Sequence, residues 1–302
     1  MKSEAIVELG KPLQTIETET PTPKGKEVLL KITHSGVCHS DVHIHDGYFD
    51  LGGGNKLPVG AMLNLPHTMG HEIEGEVVSI GSDVKDIEIG SNVVAYPWIG
   101  CGNCSTCSDG DEHYCNAPRQ LGIQLPGGFA DYCIVPDSKY VLDYEGIRPG
   151  LAATYMCSGL TAFGALKKIV NIGDKDHILI MGLGGVGMMG LQFARSLFNC
   201  KILAADIDPN KLQAAKGAGA DEVYDTSDEQ SLKKLLDDTG GGVKATVDFV
   251  GAEKTLQYCL DSTKKGGQVV VVGLFGGGFQ MPIPMFPLSA KSIGGSFVGS
   301  LE

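Results

Sequence analysis

The 302-residue sequence predicts an α/β protein in two parts, a mostly β first domain (1–151) and a doubly wound parallel sheet (152–302). That length is large for one core and suits two. Up to about Pro149 the chain is rich in short alternating or β-branched runs, such as 27–32, 75–80 and 91–95, broken by Gly, Pro and Asp. From about Met156 strand-like and helix-like stretches alternate, the pattern of parallel βα units.

The apolar run 178–181 reads as the first strand of that sheet and 188–198 as the helix after it. Strands follow at 202–206, 222–225, 246–250 and 268–273, with helices at 209–216, 228–237 and 253–263 between them. Asp208 before Pro209 supplies an N-cap and a first helical position. Gly52-Gly53-Gly54 reads as a flexible surface loop.

Between the first strand and its helix stands Met181-Gly182-Leu183-Gly184-Gly185-Val186-Gly187. A strand, then Gly-x-Gly-x-x-Gly, then a helix is the context a dinucleotide-binding turn requires. Gly182 permits the tight turn, Gly184 lets a pyrophosphate approach the backbone, and the helix opened by Gly185, Val186 and Gly187 offers unpaired N–H groups. Asp206, 24 positions after Gly182, closes the second strand where it can accept from a ribose hydroxyl.

A formal charge of −12 argues against nucleic acid or an anionic membrane as partners and leaves small molecules. Residues 1–10 carry no basic-then-apolar leader and no apolar run is long enough to span a bilayer, so a cytoplasmic protein is expected. Nine cysteines in a chain that is neither small nor visibly exported point to metal ligation rather than disulfides.

Four of them form Cys101-x-x-Cys104-x-x-Cys107-x7-Cys115, in a segment full of Gly, Ser, Asn and Asp. Four thiolates on a polar loop with little apolar material of its own make a closed tetrahedral zinc site that holds the loop together. The first three spacings also match the start of a ferredoxin-like iron–sulfur motif, an alternative that the seven-residue gap before Cys115 disfavours. His113 lies in this lobe but is not needed there.

Further ligand types are scattered. Cys38 stands in Gly36-Val37-Cys38-His39-Ser40-Asp41, and His71 and Glu72 in Gly70-His71-Glu72. Alone, such a Cys is a small buried hydrophobe and such a His a hydrogen-bonded structural group. Beside a dinucleotide site they gain weight, because hydride transfer from an alcohol needs an electrophile on the oxygen.

Together with Cys157-Ser158-Gly159-Leu160-Thr161, these motifs occur in the order found in zinc-dependent medium-chain alcohol dehydrogenases, which the sequence resembles over essentially its whole length. The resemblance implies a GroES-like β domain followed by a Rossmann domain, and two zinc ions per subunit. Cys38, His71 and Cys157 would hold the catalytic zinc with a fourth position open, and Cys101, Cys104, Cys107 and Cys115 the structural zinc. Asp41 would orient the histidine ligand and Glu72 approach the metal, although either reads equally as an ordinary surface carboxylate. Ser40 would take the substrate proton and relay it to His43, with His39 near the pyrophosphate; the alternative is a polar helix start capped by Ser40. Thr161 would pack on the nicotinamide, Lys211 reach the ribose beside Asp206, and the backbone around Val272, Leu274, Ser296 and Val298 meet the carboxamide edge. Residues 292–299 would form the last strand of the sheet, an edge that pairs in a homodimer or homotetramer. His34, His45 and His67 receive no role.

Residues 52–66 look inserted relative to the short forms of the family, so the pocket mouth is expected to differ. Phe49, Leu51 and Trp98 are candidates to line it and would favour an apolar alcohol, or else they pack the core. The chain stops at Glu302, whereas family members continue for several tens of residues and return to the catalytic domain. The expected function is reversible NAD-dependent oxidation of an alcohol by zinc-assisted hydride transfer. The alternatives are an NADP-linked aldehyde or ketone reductase and a truncated, non-catalytic dinucleotide-binding subunit.

Overall fold

The computed structural model describes residues 1–301, which form two compact units. The first comprises Met1–Phe49, Leu57–Ser158 and the chain from Ser300. Its elements are β1 (Lys2–Ile6), β2 (Gln14–Glu17), β3 (Val28–Gly36), α1 (His39–Asp46), β6 (His67–Thr68), β7 (Glu72–Ile80) and β8 (Asn92–Ala95), while the hairpin of β4 (Tyr48–Gly52) and β5 (Asn55–Pro58) is divided between the two units. Then come α2 (Ser105–Ser108), β9 (Tyr132–Val135), β10 (Val141–Asp143) and α3 (Ala152–Thr154). One antiparallel sheet has the order β10-β8-β7-β3-β9 and a smaller one β2-β1-β6. Val28, Leu29 and Leu30 on β3, Ile73 and Val77 on β7 and Val93, Val94 and Ala95 on β8 are buried and build the core.

The second unit comprises Asp50–Lys56 and Gly159–Gly299. It runs α4 (Leu160–Lys167), β11 (His177–Met181), α5 (Gly185–Leu197), β12 (Lys201–Asp206), α6 (Pro209–Gly217), β13 (Glu222–Asp225), α7 (Ser231–Thr239), β14 (Val243–Asp248), α8 (Glu253–Ser262), β15 (Thr263–Val271), α9 (Met285–Ser289) and β16 (Ser292–Gly295). The strands are all parallel in the order β13-β12-β11-β14-β15-β16, the doubly wound arrangement of a Rossmann fold. Both faces of β11 are buried, Ile178 and Ile180 in one apolar cluster and Leu179 and Met181 in the other, as helices on both sides require.

Several boundaries differ from those read in the sequence. The units divide between Ser158 and Gly159, past the boundary expected after residue 151, because side chains of the first unit bind the segment that carries Cys157. Gly52-Gly53-Gly54 is not a loose loop but the turn of the β4–β5 hairpin. All three glycines have positive φ, and a Cβ on Gly52 would meet the Gly277 backbone at 2.7 Å. The helix of the glycine-rich motif starts inside the motif at Gly185, since extended Gly184 caps it. The last strand ends at Gly295 rather than 299: Val298 has φ +40°, which no strand continues. Among the described residues no helix is long and apolar enough to cross a membrane.

Candidate active site and metal centres

Three short elements of the first unit bring Cys38, His71 and Cys157 together, with their ligand atoms all within 4.8 Å of one another. Cys38 is the extended N-cap of α1, His71 directly precedes β7, and Cys157 sits in the π-helical turn Tyr155–Gly159, an irregularity typical of functional sites. His71 Nε2 lies 3.3 Å from the Cys157 sulfur, which lies 3.9 Å from that of Cys38. Behind the ring, His71 Nδ1 donates to Asp41 Oδ1 at 3.2 Å, while Asp41 Oδ2 accepts from the Cys38 N–H at 2.9 Å.

The electrostatics are those of a thiolate–imidazolium cluster. The bond from Cys157, against the cost of burial, brings the Cys38 thiol down to about 4, and the same bond and burial push Cys157 well up. Burial disfavours charge on His71, but Asp41 and Cys38 outweigh it and raise the imidazole to about 10. Burial, with the Cys38 charge, lifts Glu72 to about 7; its Oε1 accepts from Ser158 Oγ at 3.1 Å. Such a cluster exchanges its protons for a divalent cation, because ligation needs thiolates and a neutral imidazole. Two thiolates and one imidazole fit zinc and leave a fourth position open.

The second cluster, Cys101, Cys104, Cys107 and Cys115, has sulfur separations of 3.5, 3.8 and 3.9 Å among its close pairs. A tetrahedron with Zn–S bonds of about 2.3 Å has edges of about 3.8 Å, so the set fits one zinc ion and leaves no room for a multi-iron core. Backbone N–H groups of Cys101 and Ala117 donate to the Cys115 sulfur, each at 3.3 Å. Glu112 anchors the lobe: it accepts from Gly100 N at 3.2 Å and from Lys139 Nζ and Tyr140 Oη.

On α1, His39, Ser40 and His43 share a stretch of one turn, with the two rings 5.0 Å apart. Ser40 does not cap the helix; that position is Cys38, with Asp41 completing a capping box. His43 Nε2 is buried with no partner among the described residues, and burial followed by His39 lowers its pKa. Phe49 packs on His43 at 4.7 Å between ring centroids, and the Trp98 ring lies 5.3 Å from His71 with its Nε1 donating to Met156 O. Trp98 is buried, whereas Leu51 is half exposed on the hairpin.

In the second unit the glycine-rich turn has the shape its sequence demands. Gly182 has φ +85°, and a Cβ at Gly187 would lie 1.7 Å from the Gly182 carbonyl oxygen. No protein atom would meet a Cβ at Gly184 or Gly185, which leaves the backbone open to a pyrophosphate. Asp206 accepts from Leu183 N at 2.7 Å and from Ile207 N and Asp208 N, with Lys211 Nζ 3.7 Å from its Oδ2. Its carboxylate keeps lone pairs for ribose hydroxyls. Thr161 is half-buried on α4, Val272 N donates to Asp248 O, and Leu274 is exposed. Ser296 Oγ is buried without a partner among the described residues, and strained Val298 presses its carbonyl against Gly164.

Four contributing residues are not legible in the sequence. Phe249 and Val250 abut the glycine-rich turn, where a Cβ on Gly182 would meet Val250 at 2.4 Å and one on Gly190 would meet Phe249 at 2.6 Å. Glu112 was hidden in a polar loop. Glu74 is a buried acid whose only signal was its place two residues after Glu72 in an apolar strand.

Residues 24–145 match the model of the alcohol dehydrogenase GroES-like domain and residues 185–302 that of the zinc-binding dehydrogenase domain. An NAD-dependent alcohol dehydrogenase of Saccharolobus solfataricus is 38% identical over 99% of this chain and 86% of its own length. One from Sulfurisphaera tokodaii is 37% identical over 99% of this chain and 86% of its own. Among solved structures, an NAD-dependent alcohol dehydrogenase superposes with a TM-score of 0.89 at 28% identity, covering 100% of this chain and 86% of that one. The alcohol dehydrogenase of Aeropyrum pernix gives 0.87 at 28% identity, covering 99% and 86%. Matched by both domain models and related to named members over nearly its whole length, the chain belongs to the zinc-binding medium-chain alcohol dehydrogenase family.

Proposed function

We propose that the chain oxidises an alcohol reversibly to an aldehyde or ketone with NAD, the first unit carrying the catalytic groups and the second the dinucleotide. The observation that carries this reading is the convergence of Cys38, His71 and Cys157 with Asp41 behind the histidine. Zinc bound there supplies a Lewis acid for the substrate oxygen, and NAD supplies the hydride acceptor.

The chain's own residues do the rest. Asp41 holds the Nδ1 proton of His71 and so leaves Nε2 as the ligating nitrogen. Ser40 accepts the hydroxyl proton, and His43, neutral near pH 7 because burial depresses its pKa, receives a proton at its unpartnered Nε2. His39 donates to the pyrophosphate and Glu72 assists ligand exchange. The nicotinamide is held by Thr161 and the backbone around Val272, Leu274, Ser296 and Val298. Asp206 and Lys211 take the adenosine ribose, and Asp206 repels a 2′-phosphate, which favours NAD over NADP. Phe49, Leu51 and the Trp98 ring, whose N–H is already engaged, favour an apolar alcohol. The protein acts in the cytoplasm as a homodimer or homotetramer; the edge of β16, unpaired among the described residues, and the exposed Phe286, Leu288 and Phe297 support the pairing.

Metal content measured together with NAD reduction by a panel of alcohols tests the reading. Two zinc ions per chain and NAD-linked turnover are expected, with Cys38→Ala losing one ion and the activity. Full activity in that variant, or iron in place of zinc, would overturn it.

A further inference from the structure

We propose that Glu74 is a positioning residue for Cys157, the third ligand of the three-ligand centre. The inference rests on the assignment of that centre to zinc.

Glu72 and Glu74 stand two residues apart on β7 and so project from the same side of the strand. Both are buried, at 2% and 1% exposure, where a carboxylate is retained only with partners. Glu72 takes the Ser158 hydroxyl at 3.1 Å. Glu74 takes the Gly150 N–H on both oxygens, at 2.9 and 3.1 Å, and adds Tyr144 Oη at 3.1 Å and His34 Nδ1 at 3.2 Å. Gly150 precedes α3, and Ser158 follows Cys157 within the π-helical turn, so the two hold the segment that presents Cys157 on either side of that ligand. The strand that begins one residue after His71 therefore also grips the segment carrying the third ligand.

Gly150 is a fitting point of attachment. Its φ is +81°, and a Cβ there would come within 3.3 Å of the His34 ring, so chain direction into α3 is set at this residue. An apolar side chain at position 74 would fill the core equally well but leave the Gly150 N–H and the Tyr144 hydroxyl without an acceptor. The acid is needed for where it holds the chain. Its consequence is the separation of Cys157 from His71 Nε2, set here at 3.3 Å.

Cobalt(II) titration of the full chain tests this, because thiolate-to-cobalt absorption reports each centre and Cys38→Ala identifies the component from the three-ligand site. In Glu74→Gln the side chain keeps its shape but loses its charge and one acceptor. Cobalt affinity at the three-ligand centre should fall fivefold or more, with a shifted absorption band, while the four-cysteine lobe keeps its affinity. A smaller fall, or an equal loss at both centres, would overturn the proposal. Should Glu74→Gln fail to fold, Glu74→Asp keeps the charge and both acceptors but withdraws them by one methylene from the Gly150 N–H. A threefold or greater loss confined to the three-ligand centre then supports the role, and a smaller one overturns it. If the parent chain binds cobalt only in the lobe, the zinc assignment itself falls; parent binding with an unaltered variant removes only the role of Glu74.

Discussion

Asp41 Oδ1 accepts from His71 Nδ1 at 3.2 Å, with both side chains buried. The other oxygen of the same carboxylate accepts from the N–H of Cys38, the N-cap of α1. One acid thereby sets the tautomer of one ligand and the backbone of another.

Asp41→Ala should therefore weaken zinc at the three-ligand centre by about 10- to 100-fold. It should also lower stability by about 1 kcal/mol or more through the lost cap. Competition with a chromophoric chelator reads the first effect and urea unfolding the second. Unchanged zinc affinity would reduce the pair to a structural hydrogen bond.

Two glycines of the turn should separate folding from ligand binding. Gly184→Ala meets no protein atom and has extended backbone, so its melting temperature without cofactor should match the parent, while NAD affinity falls by about tenfold or more. Gly187→Ala places a methyl 1.7 Å from a backbone oxygen and should cost about 1–3 kcal/mol before any ligand is added. NAD titration by tryptophan or cofactor fluorescence, with urea midpoints alongside, distinguishes them.

Asp206→Gly should narrow the preference for NAD over NADP, read as the ratio of the two kcat/KM values. Because Asp206 also satisfies the N–H of Leu183, the change should destabilise the chain by about 1–3 kcal/mol. An unaltered ratio would remove the carboxylate from cofactor selection.

Burial lowers the pKa of His67 below its usual 6.5 even though Nε2 is bonded to Gly122 O at 3.1 Å. The unfolded chain then binds more protons than the native one as pH drops below about 6.5, so this contribution is present above that pH and is lost as pH falls through the folded pKa. His67→Gln can keep the bond to Gly122 without titrating. Its urea midpoint should fall less than the parent's between pH 7.5 and 5.5, and parallel curves would refute the assignment.

Local chemistry made much of this molecule readable in advance. The turn at Gly182 and the acid at Asp206 announce themselves through spacing, and β13 (Glu222–Asp225) lies where the alternation of strand-like and helix-like stretches put it. Four thiolates within one polar loop likewise name a metal site, since all the ligands are neighbours in the chain. Cys157 had no such signal: its partners are 86 and 119 residues away, and only the family resemblance singled it out. Glu74 was unreadable for a related reason. An acid in a strand normally faces water, and nothing local shows that the Gly150 N–H lies within reach. The hairpin at Gly53 is not legible because three successive glycines look flexible, whereas positive φ at each builds a tight turn.

The wide spacing of the three-ligand centre also imposes an order in time on biosynthesis. At about 5–20 residues per second, Cys157 follows His71 out of the ribosome after about 4–17 s. The lobe's outermost ligands, Cys101 and Cys115, are only 14 residues apart and emerge within about 3 s. A nascent chain thus completes its closed, four-thiolate centre while the open one still lacks a ligand. On that order the lobe's four thiolates become available to a zinc ion before the three-ligand site is complete.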